Sequence, residues 1–242
     1  MRKFVDLHLA PKLKDENQVR QLIVRAIELD YRRIGISAPP GTNKRYIRKL
    51  REDADLNVDL VSRVDITCTT PKSLLKALRQ VRRRFEVVAV TCLTKSVARQ
   101  AAKDHRVDLV NFPYTDLKRR FFDKAEAELA SGSYCALELD MNPLLTLPAN
   151  RLVPLLRTLR QEVRIAEKFD VKIVLSSGVN DVSLMRHPYD YVSLARLFDL
   201  DKESALDSLS EIPNSIIERN RRKLSPDYVA PGVFVVRRGG DG

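Results

Sequence analysis

The chain has 242 residues, and its 44% hydrophobic content is enough for one sizeable core. We predict one domain over residues 1–236 and a flexible tail over 237–242. Lys and Arg number 43 against 32 Asp and Glu, and this formal net charge of +11 favours an anionic partner, nucleic acid before an acidic membrane. No apolar run reaches the roughly 18 residues of a spanning helix, and no signal peptide is evident, so we expect a cytoplasmic protein without membrane attachment.

Short β-rich runs alternate with amphipathic helical patterns, which is typical of βαβ units around a parallel sheet. The predicted strands are Lys3 to Leu7, Arg33 to Ile36, Val58 to Ile66, Glu86 to Val90, Val107 to Val110, Tyr134 to Leu139 and Val171 to Leu175. Helices are predicted over Glu16 to Leu29 and Arg151 to Lys168, and Thr70 and Thr94 are expected to cap two more. The pattern predicts an α/β fold, a TIM-like parallel β/α barrel of about seven strands.

The pattern changes after the seventh strand, where no eighth strand is obvious. Three short helices are predicted instead, over Tyr191 to Phe198, Asp201 to Ser208 and Pro213 to Lys223. They predict a helical C-terminal appendage to the barrel. Val233 to Val236 is apolar enough to pack back or to add an edge strand.

Several common functional motifs are absent from the sequence. Neither a GxGxxG motif nor a P-loop occurs, which disfavours dinucleotide and nucleoside triphosphate sites. Cys68, Cys92 and Cys135 are far apart and lack C-x-x-C spacing, so buried free thiols are expected rather than zinc ligands or disulfides. No GxSxG motif surrounds Ser176 or Ser177, so nucleophilic catalysis is unsupported.

Basic residues recur on one face of several predicted helices. The helix after Thr70 carries cations at spacings of four, three and four residues, namely Lys72, Lys76, Arg79 and Arg83. The next helix carries Lys95, Arg99 and Lys103, and Arg119 and Arg120 are expected to open the helix after the fifth strand. A single basic helix face is explained equally well by exposure to water without any partner. Several helices with the same bias favour contacts with the phosphates of a folded RNA.

A polar loop follows the last predicted strand, where the residues at the carboxyl end of a barrel strand face the ligand side. Ser176, Ser177 and Gly178 form a turn suited to hold a phosphate with hydroxyls and backbone N–H groups. Arg186 is expected to contact RNA, with Asp190 orienting it across the corner that Pro188 makes. An ordinary salt bridge within the loop explains these two charges equally well.

Acidic and imidazole side chains also collect at predicted strand ends, at Asp6, His8, Asp65, Asn111 and Asp140. Asp6 and His8 are two apart on the first strand and are expected to point the same way. These residue types could together bind a divalent metal. The chain has only 3 His, so a vestigial pocket without a metal is the favoured interpretation.

Four segments of the chain resemble ribonuclease P protein component 3, the archaeal counterpart of the eukaryotic 30-kilodalton ribonuclease P subunit. They are FVDLHL at Phe4 to Leu9, VDLVNFP at Val107 to Pro113, ALELDMNPLL at Ala136 to Leu145, and VLSSG at Val174 to Gly178 with the following Arg186, Pro188 and Asp190. The last is the most specific. The resemblance extends from Phe4 to about Lys223, which is nearly the whole chain.

The resemblance implies a barrel related to the polymerase and histidinol phosphatase group of metal hydrolases, acting as a protein subunit of ribonuclease P. That ribonucleoprotein removes the 5′ leader of precursor tRNA, and its RNA carries the chemistry with Mg at the RNA active site. No cofactor is therefore expected on this chain. The implied partners are ribonuclease P RNA, the other protein subunits and, indirectly, precursor tRNA. Pairing with ribonuclease P protein component 2 is also implied, with a heterotetramer left open.

The RNA-contacting residues expected on this basis are Lys95, Arg99, Arg119, Arg120 and Arg186. The related hydrolases carry a His-x-His pair on their first strand, where this chain has Asp6 and His8. This departure disfavours hydrolysis by the protein itself. The alternative is a freestanding metal-dependent phosphoesterase that uses the strand-end pocket. A third alternative is a sugar-phosphate barrel enzyme. Only the fold and the Ser-Ser-Gly turn support it.

Overall fold

The structure is a computed structural model that describes residues 2–42, 49–52, 58–230 and 233–235. Its main sheet has seven parallel strands, each paired with the next one along the chain. They are β1 Phe4–Leu9, β2 Tyr31–Ala38, β3 Asp59–Cys68, β4 Val87–Cys92, β5 Leu109–Asn111, β6 Ala136–Asp140 and β7 Ile173–Ser176. All seven predicted strands are confirmed, with ends that differ by a few residues.

The sheet curls into a nearly closed barrel without an eighth strand among the described residues. Next to β1, the segment after β7 supplies the missing backbone partners, because Gly178 N donates to His8 O (3.0 Å) and Ala10 N donates to Val179 O (2.9 Å). Farther down β1, Val5 N donates to Leu209 O (2.8 Å). The gap between the first and last strands is thus bridged by loop backbone.

Helices cover the outside of the barrel in the order that the alternating pattern predicts. They are α1 Glu16–Glu28, α2 Pro71–Val81, α3 Lys95–Ala102, α4 Lys124–Ser133, the short α5 Asn142–Thr146 and α6 Ala149–Lys168. Both predicted caps are confirmed: the Thr70 hydroxyl accepts from Ser73 N, and the Thr94 hydroxyl accepts from Val97 N, each at 3.3 Å. No helix among the described residues is long and apolar enough to cross a membrane.

The start of α4 corrects one expectation. Arg119 ends a short 3₁₀ turn, Leu117–Arg119, and Arg120 follows it in extended conformation, so neither residue opens the helix. The helix begins instead after Asp123, whose carboxylate accepts from Glu126 N at 3.0 Å. An aspartate in this position is a better N-cap than an arginine because it satisfies a free backbone N–H group.

The predicted C-terminal appendage consists of α7 Pro188–Ala195, α8 Lys202–Ser208 and α9 Glu211–Leu224. Helix α9 lies across the N-terminal ends of the strands. Its Ile216 and Ile217 are buried with the apolar side chains that fill the barrel interior at this end, which we call the lower interior: Val5, Leu7, Val61, Val87, Ala89, Leu109, Ala136 and Val174. The helix therefore seals one end of the barrel.

Polar contacts hold α9 against the same end of the barrel. Asn220 Nδ2 donates to Glu86 O (2.8 Å), and Arg221 makes a bidentate pair with Asp59 (2.6 and 2.7 Å) and a further bond to Glu86 Oε1 (2.7 Å). Arg219 pairs with Asp108 at 2.9 Å. Because these acids stand just before or at the start of β3, β4 and β5, the helix is attached to three strands at once.

The chain after α9 forms a small hairpin apart from the barrel. Its strands, β8 Tyr228–Ala230 and β9 Val233–Phe234, pair antiparallel, so the apolar run from Val233 adds no strand to the main sheet. The predicted flexible tail over 237–242 lies outside the described residues. All three cysteines are free, as expected; Cys92 and Cys135 are buried and Cys68 is half-buried.

Removing part of the α9 seal should destabilise the whole barrel. Ile217→Ala should lower the free energy of unfolding by roughly 2 to 5 kcal/mol, because it leaves a cavity in a fully buried site. Ser215→Ala, at an exposed position of the same helix, should change it by less than about 0.5 kcal/mol. Urea unfolding followed by circular dichroism measures both, and equal effects would contradict the sealing role.

Candidate functional site

We call the end of the barrel at which the carboxyl ends of the strands meet its mouth. It contains a buried arginine that the sequence did not reveal as a site residue. Arg63 lies on β3 and its side chain is 0% exposed. Its Nη1 and Nη2 donate to the two oxygens of Glu138 at 2.5 and 2.7 Å, and Nη2 also donates to Asp65 Oδ1 at 2.6 Å. Nη1 further donates to Leu7 O at 3.1 Å. One guanidinium thus connects β1, β3 and β6 across the barrel interior.

The carboxylates around Arg63 are linked to the remaining polar groups of the mouth. Asn111 Nδ2 donates to Glu138 Oε2 (3.1 Å) and to Asp140 Oδ2 (3.0 Å), and Ser176 Oγ donates to Glu138 Oε1 (2.7 Å). His8 Nδ1 lies 2.8 Å from Asp140 Oδ1. We call Arg63, His8, Asp65, Asn111, Glu138 and Asp140 the mouth cluster.

The charges of the mouth cluster stabilise one another. Burial and the Arg63 charge lower the pKa of His8, but the carboxylates of Asp140 and Asp65 outweigh them and raise it to about 9. Burial raises the pKa of the Asp65 carboxyl, whereas Arg63 and His8 lower it more strongly and keep it well below its usual value. At neutral pH the cluster therefore combines the cations of Arg63 and His8 with the ionised carboxylates of Asp65 and Asp140.

Asp6 does not share the surroundings of His8, which corrects the expectation that the two side chains point the same way. The pairing of β1 with β2 shifts register between Asp6 and Leu9, and an irregular strand loses the simple alternation of faces. Asp6 Oδ1 accepts from His8 N (3.1 Å) and Ser177 N (3.0 Å). Asp6 thus fixes the irregular part of β1 to the segment after β7.

The Ser-Ser-Gly turn after β7 forms hydrogen bonds to the mouth cluster. Both serines are buried; Ser176 bonds Glu138, and Ser177 Oγ donates to His8 O at 3.2 Å. Gly178 has φ +65°, and a Cβ there would lie 2.8 Å from Asp140 Cγ, so only glycine fits. The two hydroxyls are therefore committed to partners inside the protein and are not presented to a phosphate.

Arg186 and Asp190 have separate local partners. Arg186 Nη1 donates to Ser183 O (2.8 Å) and Met185 O (2.9 Å). Asp190 Oδ2 accepts from His187 N at 3.2 Å and completes a capping box at the start of α7. Asp190 therefore serves as a helix cap, which corrects the expectation that it orients Arg186.

The basic residues expected to contact RNA differ in availability. Lys95 and Arg99 both approach Asp123, at 3.4 and 2.7 Å, and their side chains are 61% and 24% exposed. Arg119 is 51% exposed and lies 3.2 Å from Asp116. The pairs of Lys95 and Arg119 are solvent-accessible and weak enough to be exchanged for a phosphate, whereas Arg99 also lies 3.5 Å from the buried Glu126.

Arg120 differs from its neighbour because it is only 4% exposed. Its guanidinium makes a bidentate pair with Glu162 of α6 (2.5 and 2.8 Å) and donates to Phe112 O (2.8 Å). The structure thus assigns it to the packing of α6 against the barrel and corrects its selection as an RNA contact. The partner is 42 residues away along the chain, so no local pattern could have indicated it.

The fold and the mouth together define a TIM-like β/α barrel whose strand-end pocket is filled by the protein's own charged side chains. Residues 3–225 match the family model described as RNase P subunit p30. The chain belongs to this family and is a protein subunit of ribonuclease P. No finding favours the alternative of a freestanding phosphoesterase.

Two curated relatives are each named ribonuclease P protein component 3. The Methanosarcina barkeri protein is 29% identical over 237 residues, covering 98% of this chain and 97% of its own length. The Methanococcoides burtonii protein is 27% identical over 234 residues, covering 97% and 94%. A chain in the cryo-EM structure of archaeal ribonuclease P with mature tRNA has the same fold, with a TM-score of 0.82 at 20% identity, covering 98% of this chain and 100% of that chain.

The pair of adjacent arginines provides a matched test of the packing role. Arg120→Ala should lower the free energy of unfolding by about 3 to 5 kcal/mol, because it leaves the Glu162 carboxylate buried and unpaired. Arg119→Ala should change it by less than about 0.5 kcal/mol. Chemical denaturation of both variants measures the difference, and a stable Arg120→Ala protein would contradict it.

The proton on His8 should make stability depend on pH. Since the folded pKa of about 9 exceeds the ordinary 6.5, this contribution is fully present below pH 6.5 and is lost as the pH rises through about 9. His8→Gln retains a hydrogen-bond donor but does not titrate. Across this window the Tm of the wild type should fall more steeply than that of the variant in thermal unfolding scans. Parallel curves would show that His8 is not protonated in the folded protein.

Proposed function

We propose that this subunit binds the RNA of ribonuclease P through the outer faces of α2 and α3 and stabilises that RNA in its active form. The observation that carries the proposal is the charge of α2. Its sequence, PKSLLKALRQV, contains three cations and no acidic residue. A helix face with charge of one sign is suited to a polyanion.

The α2 cations lie on the surface, opposite the buried Leu74, Leu78 and Val81. Lys72, Lys76 and Arg79 are all exposed, and their spacing of four and three residues places them along one face of the helix. Extended side chains of this kind contact phosphates without reading bases. The face is therefore suited to the backbone of a folded RNA.

Helix α3 continues this surface on the neighbouring helix. Its N-terminus adjoins that of α2, because the Thr94 hydroxyl donates to Thr69 O at 3.3 Å. It also lacks acidic residues and adds Lys95, Arg99 and the exposed Lys103. Asp123 offsets part of the charge of Lys95 and Arg99. We therefore expect α2 to contribute more to RNA affinity than α3, with Arg119 and Arg186 as further candidate contacts.

The proposal includes the rest of the assembly. The structural neighbour within archaeal ribonuclease P with mature tRNA supports assembly with the RNA and with other protein subunits. We infer that ribonuclease P protein component 2 is a direct partner and that a heterotetramer is one possible form of the pair. The RNA would carry the chemistry with Mg at its own active site, no cofactor would bind to this chain, and the complex would work in the cytoplasm.

Cleavage of the 5′ leader from a precursor tRNA tests the proposal directly. Ribonuclease P RNA and component 2 are combined with and without this chain at limiting magnesium. We expect stimulation that requires both the RNA and component 2. Leader cleavage by the chain alone, or no stimulation at all, would contradict the proposed role.

Neutralising α2 should weaken RNA binding through lost phosphate contacts. The triple variant Lys72→Gln, Lys76→Gln, Arg79→Gln should bind ribonuclease P RNA more weakly, and the slope of log K against log salt should fall by about 3. The matched control removes three exposed cations outside α2 and α3, with Arg157→Gln, Lys168→Gln and Lys202→Gln. Filter binding over a salt series measures both variants. Equal losses would show that net charge, and not the α2 face, determines affinity.

A further inference from the structure

We propose that Arg63 occupies the place of a divalent cation in the mouth of this barrel, and that its guanidinium keeps the surrounding His8, Asp65, Glu138 and Asp140 from forming a metal site. Those four side chains provide imidazole and carboxylate donors, which suit Mn²⁺ or Zn²⁺. His8, Glu138 and Asp140 each offer a ligand atom within 4.8 Å of the others. His8 Nε2 lies 3.8 Å from Asp65 Oδ2, so a fourth carboxylate adjoins this group.

The guanidinium occupies the oxygens that a metal would need. Glu138 presents both carboxylate oxygens to Arg63, and Asp65 presents Oδ1 to it, at distances of 2.5 to 2.7 Å. A metal ion would have to approach the same oxygens to about 2.0 to 2.2 Å. Because a guanidinium stays charged at every physiological pH, it compensates the carboxylates permanently. The donor set therefore does not fit a metal as long as Arg63 is present.

Arg63 cannot easily leave this position. Its side chain is 0% exposed, and it extends from the middle of β3 with a bond to Leu7 O on β1, two strands away. That carbonyl is itself held close to β2, since a Cβ at Gly35 would lie 2.2 Å from Leu7 O. On the side of the guanidinium that faces α9 lies the apolar interior that this helix closes, including Val61, two residues earlier on β3. The side chains of that interior are apolar and offer no hydrogen-bond partner to the charge.

The first measurement uses the wild-type chain. The full-length protein is incubated with excess Mn²⁺, dialysed, and analysed for metal, and its Tm is compared with and without Mn²⁺. We expect no stoichiometric metal and no rise in Tm. Stoichiometric Mn²⁺ that is lost in His8→Ala would overturn the proposal, because it would show that the pocket accepts a cation despite Arg63.

The second measurement removes the guanidinium. Arg63→Ala should bind one equivalent of Mn²⁺ and gain Tm from it, because the metal replaces the missing charge and binding to the folded state adds to stability. Arg63→Lys is the matched control, since it retains a cation and should bind no Mn²⁺. The double variant Arg63→Ala, His8→Ala should lose the metal.

Destabilisation of Arg63→Ala would not hide the result. If the variant fails to fold without metal, refolding is compared in buffers with and without Mn²⁺. Folding that depends on Mn²⁺ and is abolished by His8→Ala would support the proposal. Absence of both Mn²⁺ binding and Mn²⁺-dependent folding in Arg63→Ala would overturn it.

Discussion

The ion pair between Arg63 and Glu138 is the interaction on which the structure of the barrel near its mouth depends. It lies inside the ring of strands and connects β3 to β6, and the additional bond to Leu7 O extends it to β1. A buried charge is tolerated only when its hydrogen bonds are satisfied. Asn111 and Ser176 complete the bonds of Glu138, so the network forms as one unit and fixes the geometry of the mouth.

The sequence was informative where structure is determined by neighbours along the chain. Seven strands, the caps at Thr70 and Thr94 and the charged face of α2 all follow from local periodicity, and the family resemblance was carried by short segments. Arg63 was missed because its carboxylate partner on β6 is 75 residues away. A single arginine in the strand DLVSRVDITC, which also contains two aspartates, gives no sign that it points inward. The distinct roles of Asp6 and His8 depended on an irregularity in β1, which composition does not encode.

The total of 43 Lys and Arg overstates the number of basic side chains that are available to RNA. Several arginines are committed to structure: Arg63 in the mouth, Arg120 against α6, and Arg219 and Arg221 beneath the barrel. The available charge is concentrated where helices lack acids of their own, above all on α2. A barrel can in this way use one residue type both as internal scaffold and as external contact for a polyanion.

The sealing helix α9 also has a consequence for how the protein is made. All seven strands leave the ribosome before Ile216 and Ile217, which cover the lower interior of the barrel. During synthesis the growing chain therefore carries an open barrel end lined with valine and leucine, a surface of the kind that chaperones recognise and that promotes aggregation. Completion of the fold is tied to the last part of the barrel-forming sequence, so a message truncated before α9 would yield an exposed intermediate rather than a smaller stable protein.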